Sequence, residues 1–166
     1  MAWQPSIGYR REIMNQILPF PLWLGHSGDG RDFPRLHESG IKAIVQLAAE
    51  ELPLQPPREL ICLRFPLMDG ADNPEDLLSL TVETLASLLK SRVPTLVCCG
   101  AGMSRSPAVA AAAISCILRK PPDEVLGYIL LGRPGDVSPG LWAELRRLMA
   151  SRLQDPGTEA PERTGP

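Results

Sequence analysis

The chain has 166 residues, 44% of them hydrophobic and 5% aromatic, with 17 Lys+Arg against 19 Asp+Glu for a formal net charge of −2. That length suits one globular domain with a substantial single core. The charge balance gives no long-range pull on nucleic acid or an anionic membrane, and no apolar run approaches the roughly 20 residues a membrane span needs, so neither partner is expected.

The opening MAWQPSIGYRREIMNQ is polar and lacks the apolar core of a secretory signal. A cytoplasmic setting is therefore expected, with Cys62, Cys98, Cys99 and Cys116 as reduced thiols rather than a disulfide framework. The cysteines lack paired zinc-ligand spacing, and His26 and His37 lie far from them in sequence, so no metal site is expected. Residues 1–16 read as an N-terminal arm, 17–153 as the domain and 154–166, rich in Pro, Gly and charge, as a disordered tail.

In chain order, ILPFPLWLG (17–25) reads as a strand interrupted by prolines, hence at an edge or irregular. DFPRLHESG (32–40) reads as a short helix closed by Gly40 in the left-handed conformation. IKAIVQLA (41–48) and ELICLRFP (59–66) are apolar runs of strand length. NPEDLLSLTVETLASLLKSR (73–92) predicts a helix with Asn73 as N-cap, Pro74 in the first turn and an apolar stripe through Leu77, Leu78, Val82, Leu85, Leu88 and Leu89. VPTLVCC (93–99) is a strand, and SRSPAVAAAAISCILR (104–119) a helix whose alanines allow close packing. Two further helices start at prolines, in PPDEVLGYILL (121–131) and SPGLWAELRRLMASRL (138–153). Strands alternating with helices predict an α/β domain, a central mostly parallel sheet flanked by helices, with 41–48, 59–66 and 93–99 as inner strands. In such sheets ligands bind beyond the carboxyl ends of the strands.

One strand end carries an unusual sequence, Cys99-Gly-Ala-Gly-Met-Ser-Arg105, followed by Ser106. Five residues between a strand and a helix can curl until successive backbone N–H groups converge on one point. Gly100 and Gly102 permit the close approach and dihedrals this needs. The following helix adds unpaired N–H groups and a positive dipole end, which favour an anion. Arg105 can give two parallel hydrogen bonds to phosphoryl oxygens. The same field favours a thiolate at Cys99, since a helix N-terminus lowers a thiol pKa from about 8.5 to roughly 3.5–7.5. A cation in the first helical turn is unfavourable unless an anion is shared, so Arg105 also points to an anionic ligand.

This loop resembles the signature of the cysteine-dependent protein tyrosine phosphatases, and its Gly102-Met-Ser-Arg-Ser106 ending resembles their dual-specificity branch. The resemblance runs through LWLGHSGDGRDFPRLHESGIKAIVQLA, LRFPLMDGADNPEDLL and RPGDVSPGLWAEL, covering roughly 17–153. It departs at Cys98, where the family usually has histidine, and at Ser138, where the late turn commonly carries asparagine. It implies a protein tyrosine phosphatase-like fold and a phosphomonoester hydrolase, most simply a dual-specificity protein phosphatase working through a cysteinyl-phosphate.

The roles it implies are Cys99 as nucleophile, Arg105 as phosphate clamp and Asp69 as general acid, with Asp72 a rival on the same loop. Ser106 would ease thiolate departure. Gly100, Ala101, Gly102, Met103 and Ser104 would hold the phosphate mainly through backbone N–H groups. No cofactor is implied; the partner would be a phosphorylated protein or peptide, and the chain a monomer. Two other readings stand beside this one: a pseudophosphatase that binds phosphate without turnover, and a rhodanese-like or arsenate-reductase-like thiol enzyme. Cys98 alternates away from Cys99 and reads as core, with a redox partner to Cys99 as the other reading. Cys62 and Cys116 read as structural, and His26 and His37 as surface residues.

Overall fold

The computed structural model describes residues 14–154, so residues 1–13 of the expected arm and nearly all of the expected tail lie outside the described residues. The chain runs β1 Met14–Gln16, β2 Leu22–His26, α1 Ser27–Arg31, α2 Phe33–Glu38, β3 Ala43–Ala48, β4 Ile61–Leu67, α3 Glu75–Lys90, β5 Thr95–Cys99, α4 Arg105–Leu118, α5 Pro122–Leu130 and α6 Pro139–Gln154. The sheet order is β1-β2-β5-β3-β4. The β1–β2 pairing is antiparallel, and β2–β5, β5–β3 and β3–β4 are parallel. This is the α/β architecture expected, with a mostly parallel sheet. The edge strand β1 is formed by residues read from sequence as arm.

Two strands exchange the places expected of them. β2 is an inner strand, because Pro19 and Pro21 precede it and Leu22–His26 keeps every N–H for pairing on both sides. β4, expected inside, is the opposite edge. Pro66 lies within it, and Ile61, Arg64 and Pro66 are exposed while Phe65 and Leu67 are buried. A proline in a strand is tolerated at an edge, where no neighbour needs its missing N–H.

The alternation of side chains along β5 divides the core. Val97 and Cys99 face the larger cluster, with Leu24, Val45, Leu85, Val109 and Leu145. Leu96 and Cys98 face a smaller one, with Leu36, Ile41 and Ile44. α4 runs through the larger side with Ala108–Ala113 all fully buried. Five alanines and Val109 let α3, α5 and α6 pack closely around it. On the other face, α2 ends at Gly40 with φ +73°, the left-handed stop expected there.

Asn73 does not cap α3. Pro74 occupies the N-cap and makes no side-chain cap bond. The Asn73 side chain turns back instead: its Oδ1 accepts the Met68 N–H at 2.8 Å and its Nδ2 donates to the Gly70 carbonyl at 3.0 Å. Glu75 and Asp76 in the first turn meet the helix dipole without it. The asparagine thus fixes the loop leaving β4, and that loop carries Asp69.

Candidate active site

The carboxyl ends of β2, β3, β4 and β5 converge on the segment 99–105. Cys99 is the last residue of β5, paired in register with His26 of β2, and is 3% exposed. Beyond it the chain turns sharply. Gly102 has φ +75°, and a Cβ there would sit 2.8 Å from the Gly25 carbonyl oxygen, so only glycine fits. At Gly100 a Cβ would lie 3.3 Å from both Arg105 Nη2 and Glu50 Oε1, a tight approach to the ion pair they form.

The loop's carbonyls are tied outward. Gly100 O accepts the Ser27 N–H at 3.1 Å, and Met103 O the Asp136 N–H at 2.9 Å. Gly102 O accepts from Arg133 Nη2 at 3.1 Å. By contrast, the N–H groups of Ala101, Gly102, Met103 and Ser104 donate to no backbone carbonyl among the described residues. Carbonyls turned out and amides left unpaired are what an anion cradle requires.

Arg105 opens α4 and is 3% exposed. Its Nη1 donates to Glu50 Oε2 at 2.6 Å and to the Leu67 carbonyl at 3.0 Å, and its Nη2 donates to Glu50 Oε1. Glu50 therefore grips the guanidinium by its outer edge, and Nε has no partner among the described residues. The Arg105 hydrogen bond holds the Glu50 carboxyl at about 2, well below the usual carboxylate range, and Glu50 in turn raises the guanidinium. Part of the counter-charge expected for Arg105 thus comes from the protein itself.

Asp69 follows β4 by two residues and reaches the loop: Ser104 Oγ donates to Asp69 Oδ1 at 2.5 Å. Asp72 points elsewhere. Its φ is +71°, its N–H donates to Glu144 Oε1 at 2.6 Å, and it lines a groove of about 560 Å³ between α3 and α6 with Glu75 and Arg147. Of the two aspartates, only Asp69 is brought to the cysteine loop. Ser106 is fully buried and its Oγ has no hydrogen-bond partner among the described residues. A buried hydroxyl left unpaired costs about 1–3 kcal/mol, and such groups collect where function requires them.

Three contributors, Glu50, Arg133 and Asp29, had no role assigned from the sequence, and a fourth, Ser104, does more than expected. Glu50 sits in AAEEL with no spacing to single it out from Glu51. Ser104, expected to act mainly through its backbone, also uses its hydroxyl. Arg133 places Nε and Nη1 in buried positions without partners among the described residues; burial pushes its guanidinium down, and charge on Cys99 pushes it back up. Its only signal was the Arg-Pro step before α6. Asp29, 1% exposed, accepts the His26 N–H at 2.8 Å, and burial raises its carboxyl. His26 is half-exposed, as expected, and its Nδ1 accepts from Gly28 and Asp29 N–H to cap α1.

Residues 26–118, more than half of the chain, match the model of the family described as "Polymorphic toxin system, DSP-PTPase phosphatase". No curated protein matches the chain. Among solved structures it is similar to DUSP15, at 24% identity over 85% of this chain and 90% of that one, with a TM-score of 0.73. It is also similar to a mouse putative dual specificity phosphatase complexed with zinc tungstate, at 23% identity over 84% and 87%, with a TM-score of 0.74. A third likeness is to the human tyrosine phosphatase-like serine/threonine/tyrosine-interacting protein, at 24% identity over 84% and 97%, with a TM-score of 0.71. At these identities the likeness to solved structures is one of fold.

Proposed function

Since the chain belongs to this family of DSP-PTPase phosphatases, we propose that it hydrolyses phosphomonoesters on proteins or peptides in two steps through Cys99. In the first, Cys99 Sγ attacks phosphorus, an S–P bond forms, the P–O bond to the alcohol breaks, and Asp69 gives its proton to the departing oxygen. In the second, water attacks the same phosphorus, the S–P bond breaks, and Asp69 takes the water's proton. Arg105 and the loop amides hold the equatorial oxygens through both steps. The Ser106 hydroxyl, which has no partner among the described residues, donates to the sulfur as it leaves.

One observation carries this reading. A cysteine at the base of a turn, four amides without acceptors among the described residues and a buried arginine meet an aspartate held on the same turn. Phosphotyrosine and phosphoserine or phosphothreonine are all proposed substrates. Loop positions 100–104 carry no lysine, which disfavours polyphosphoinositides.

The test is a panel of phosphopeptides and small phosphomonoesters assayed with the wild-type chain and with Cys99→Ser, in buffer containing a chelator. Turnover that survives chelation and vanishes with Cys99→Ser is expected. Turnover by Cys99→Ser would overturn the mechanism, and tight phosphopeptide binding without product from the wild type would make the chain a reader of phosphate rather than a hydrolase.

A further inference from the structure

The Ser104 hydroxyl has two partners, and together they fix its direction. It accepts the Ser138 N–H at 2.9 Å, from the turn that enters α6. With that lone pair engaged by a backbone donor, its own proton is aimed at Asp69 Oδ1, 2.5 Å away. Ser104 is 8% exposed, so water competes little for either bond. No hydrogen bond reaches Asp69 Oδ2 among the described residues. One carboxylate oxygen is therefore tethered and the other left to carry the mobile proton.

The rest of the acid loop is tied to the same element. Glu144 of α6 accepts the Asp72 N–H. Gly140, at the start of α6, lies so close to the loop that a Cβ there would fall 2.8 Å from the Ala71 nitrogen. Asn73 closes the loop on itself. Asp69 is itself exposed, and the Ser104 hydrogen bond restrains its side chain.

We propose that Ser104 is a positioning residue for the general acid: its hydroxyl, oriented by the Ser138 amide, holds Asp69 so that Oδ2 faces the departing oxygen. This rests on the assignment of Asp69 above and adds to it a side-chain role within the phosphate loop. Positioning through one hydrogen bond acts on the step in which the proton moves. Its loss is felt most where the leaving group is a strong base and least where it departs without help.

The experiment compares kcat for an alkyl phosphate and an activated aryl phosphate in four proteins: wild type, Ser104→Ala, Asp69→Asn and the double variant. Ser104→Ala is expected to lower kcat about tenfold more on the alkyl phosphate than on the activated one. In the Asp69→Asn background the same substitution should cost nothing extra, because its effect runs through the carboxylate. Equal losses on both substrates, or an undiminished loss in the Asp69→Asn background, would overturn the proposal and leave Ser104 a structural part of the loop. If Asp69→Asn itself shows no dependence on leaving group, the acid assignment falls and this inference with it. Ser104→Cys keeps the volume and weakens the donor. It should lie between serine and alanine, and it carries the test if the alanine variant does not fold.

Discussion

Cys98 and Cys99 are consecutive residues of one strand, 2% and 3% exposed, yet they occupy two different chemical regions. Cys98 faces Leu36, Ile41, Ile44 and Leu96, and a Cβ on Gly30 would lie 2.8 Å from its sulfur. Burial, with charge on Cys99 as the next contribution, pushes its thiol up to about 12. Cys99 faces the other way, at the base of a turn where the N–H groups of residues 101–104 have no backbone acceptor among the described residues, one loop length from the buried Arg105. The lesson is that burial does not distinguish the proposed nucleophile from a core thiol. What distinguishes them is where the backbone amides and the nearest cation point.

Exchanging serine for each cysteine breaks the comparison most sharply. Cys99→Ser should lower kcat/KM by on the order of 10⁴-fold or more, as when one member of a cooperating site is removed. Cys98→Ser should leave kcat/KM within about twofold and appear instead as a stability loss of about 0.5–3 kcal/mol in denaturant unfolding, the ordinary range for a core substitution. A catalytic collapse from Cys98→Ser would mean that the two sides of the strand are not separate.

Next in size is the aspartate pair. Asp69→Asn should cost about 10²–10⁴ in kcat, the worth of a positioned acid. Asp72→Asn, on a residue turned toward Glu144, should cost far less; steady-state kinetics on one phosphopeptide decides between them. Glu50→Gln follows, with a loss of about 10² in kcat/KM expected once Arg105 can shift from its place.

That variant also has a pH signature. The Glu50 carboxyl is lowered to about 2 by Arg105. Its contribution to stability is thus fully present above the ordinary carboxylate value and is lost as pH falls toward 2. The melting-temperature gap between wild type and Glu50→Gln should hold steady down to about pH 4.5 and close below it.

The smallest effect concerns Cys98 alone. A thiol raised from about 9 to about 12 keeps its proton in the fold after the unfolded chain has lost it. Stability should therefore decline as pH rises through that window, and less steeply in Cys98→Ala, as thermal melts in alkaline buffer would register.

The cysteine loop was legible because its parts are local: strand, two glycines and arginine lie within seven residues, and the geometry follows from chain length. The general α/β plan was legible for the same reason, since each helix carries its own stripe, proline start or glycine stop. What the sequence hid depends on contacts between distant segments. Glu50 meets Arg105 across 55 residues, and Asp69 meets Ser104 across 35. Asn73 before Pro-Glu reads as a helix cap, and only the loop folding over it reveals the other use of its amide. The order of strands misled through proline: Pro19 and Pro21 only precede β2, whereas Pro66 lies inside β4 and marks the true edge.

The most direct test of the central claim is rapid acid quench of the chain with a phosphorus-labelled substrate, followed by peptide mapping of any covalent phosphate. Label is expected on the sulfur of Cys99, approaching one per chain, present in Cys98→Ser and absent in Cys99→Ser. Product formed with no label on that residue, or with label on Cys98, would contradict it.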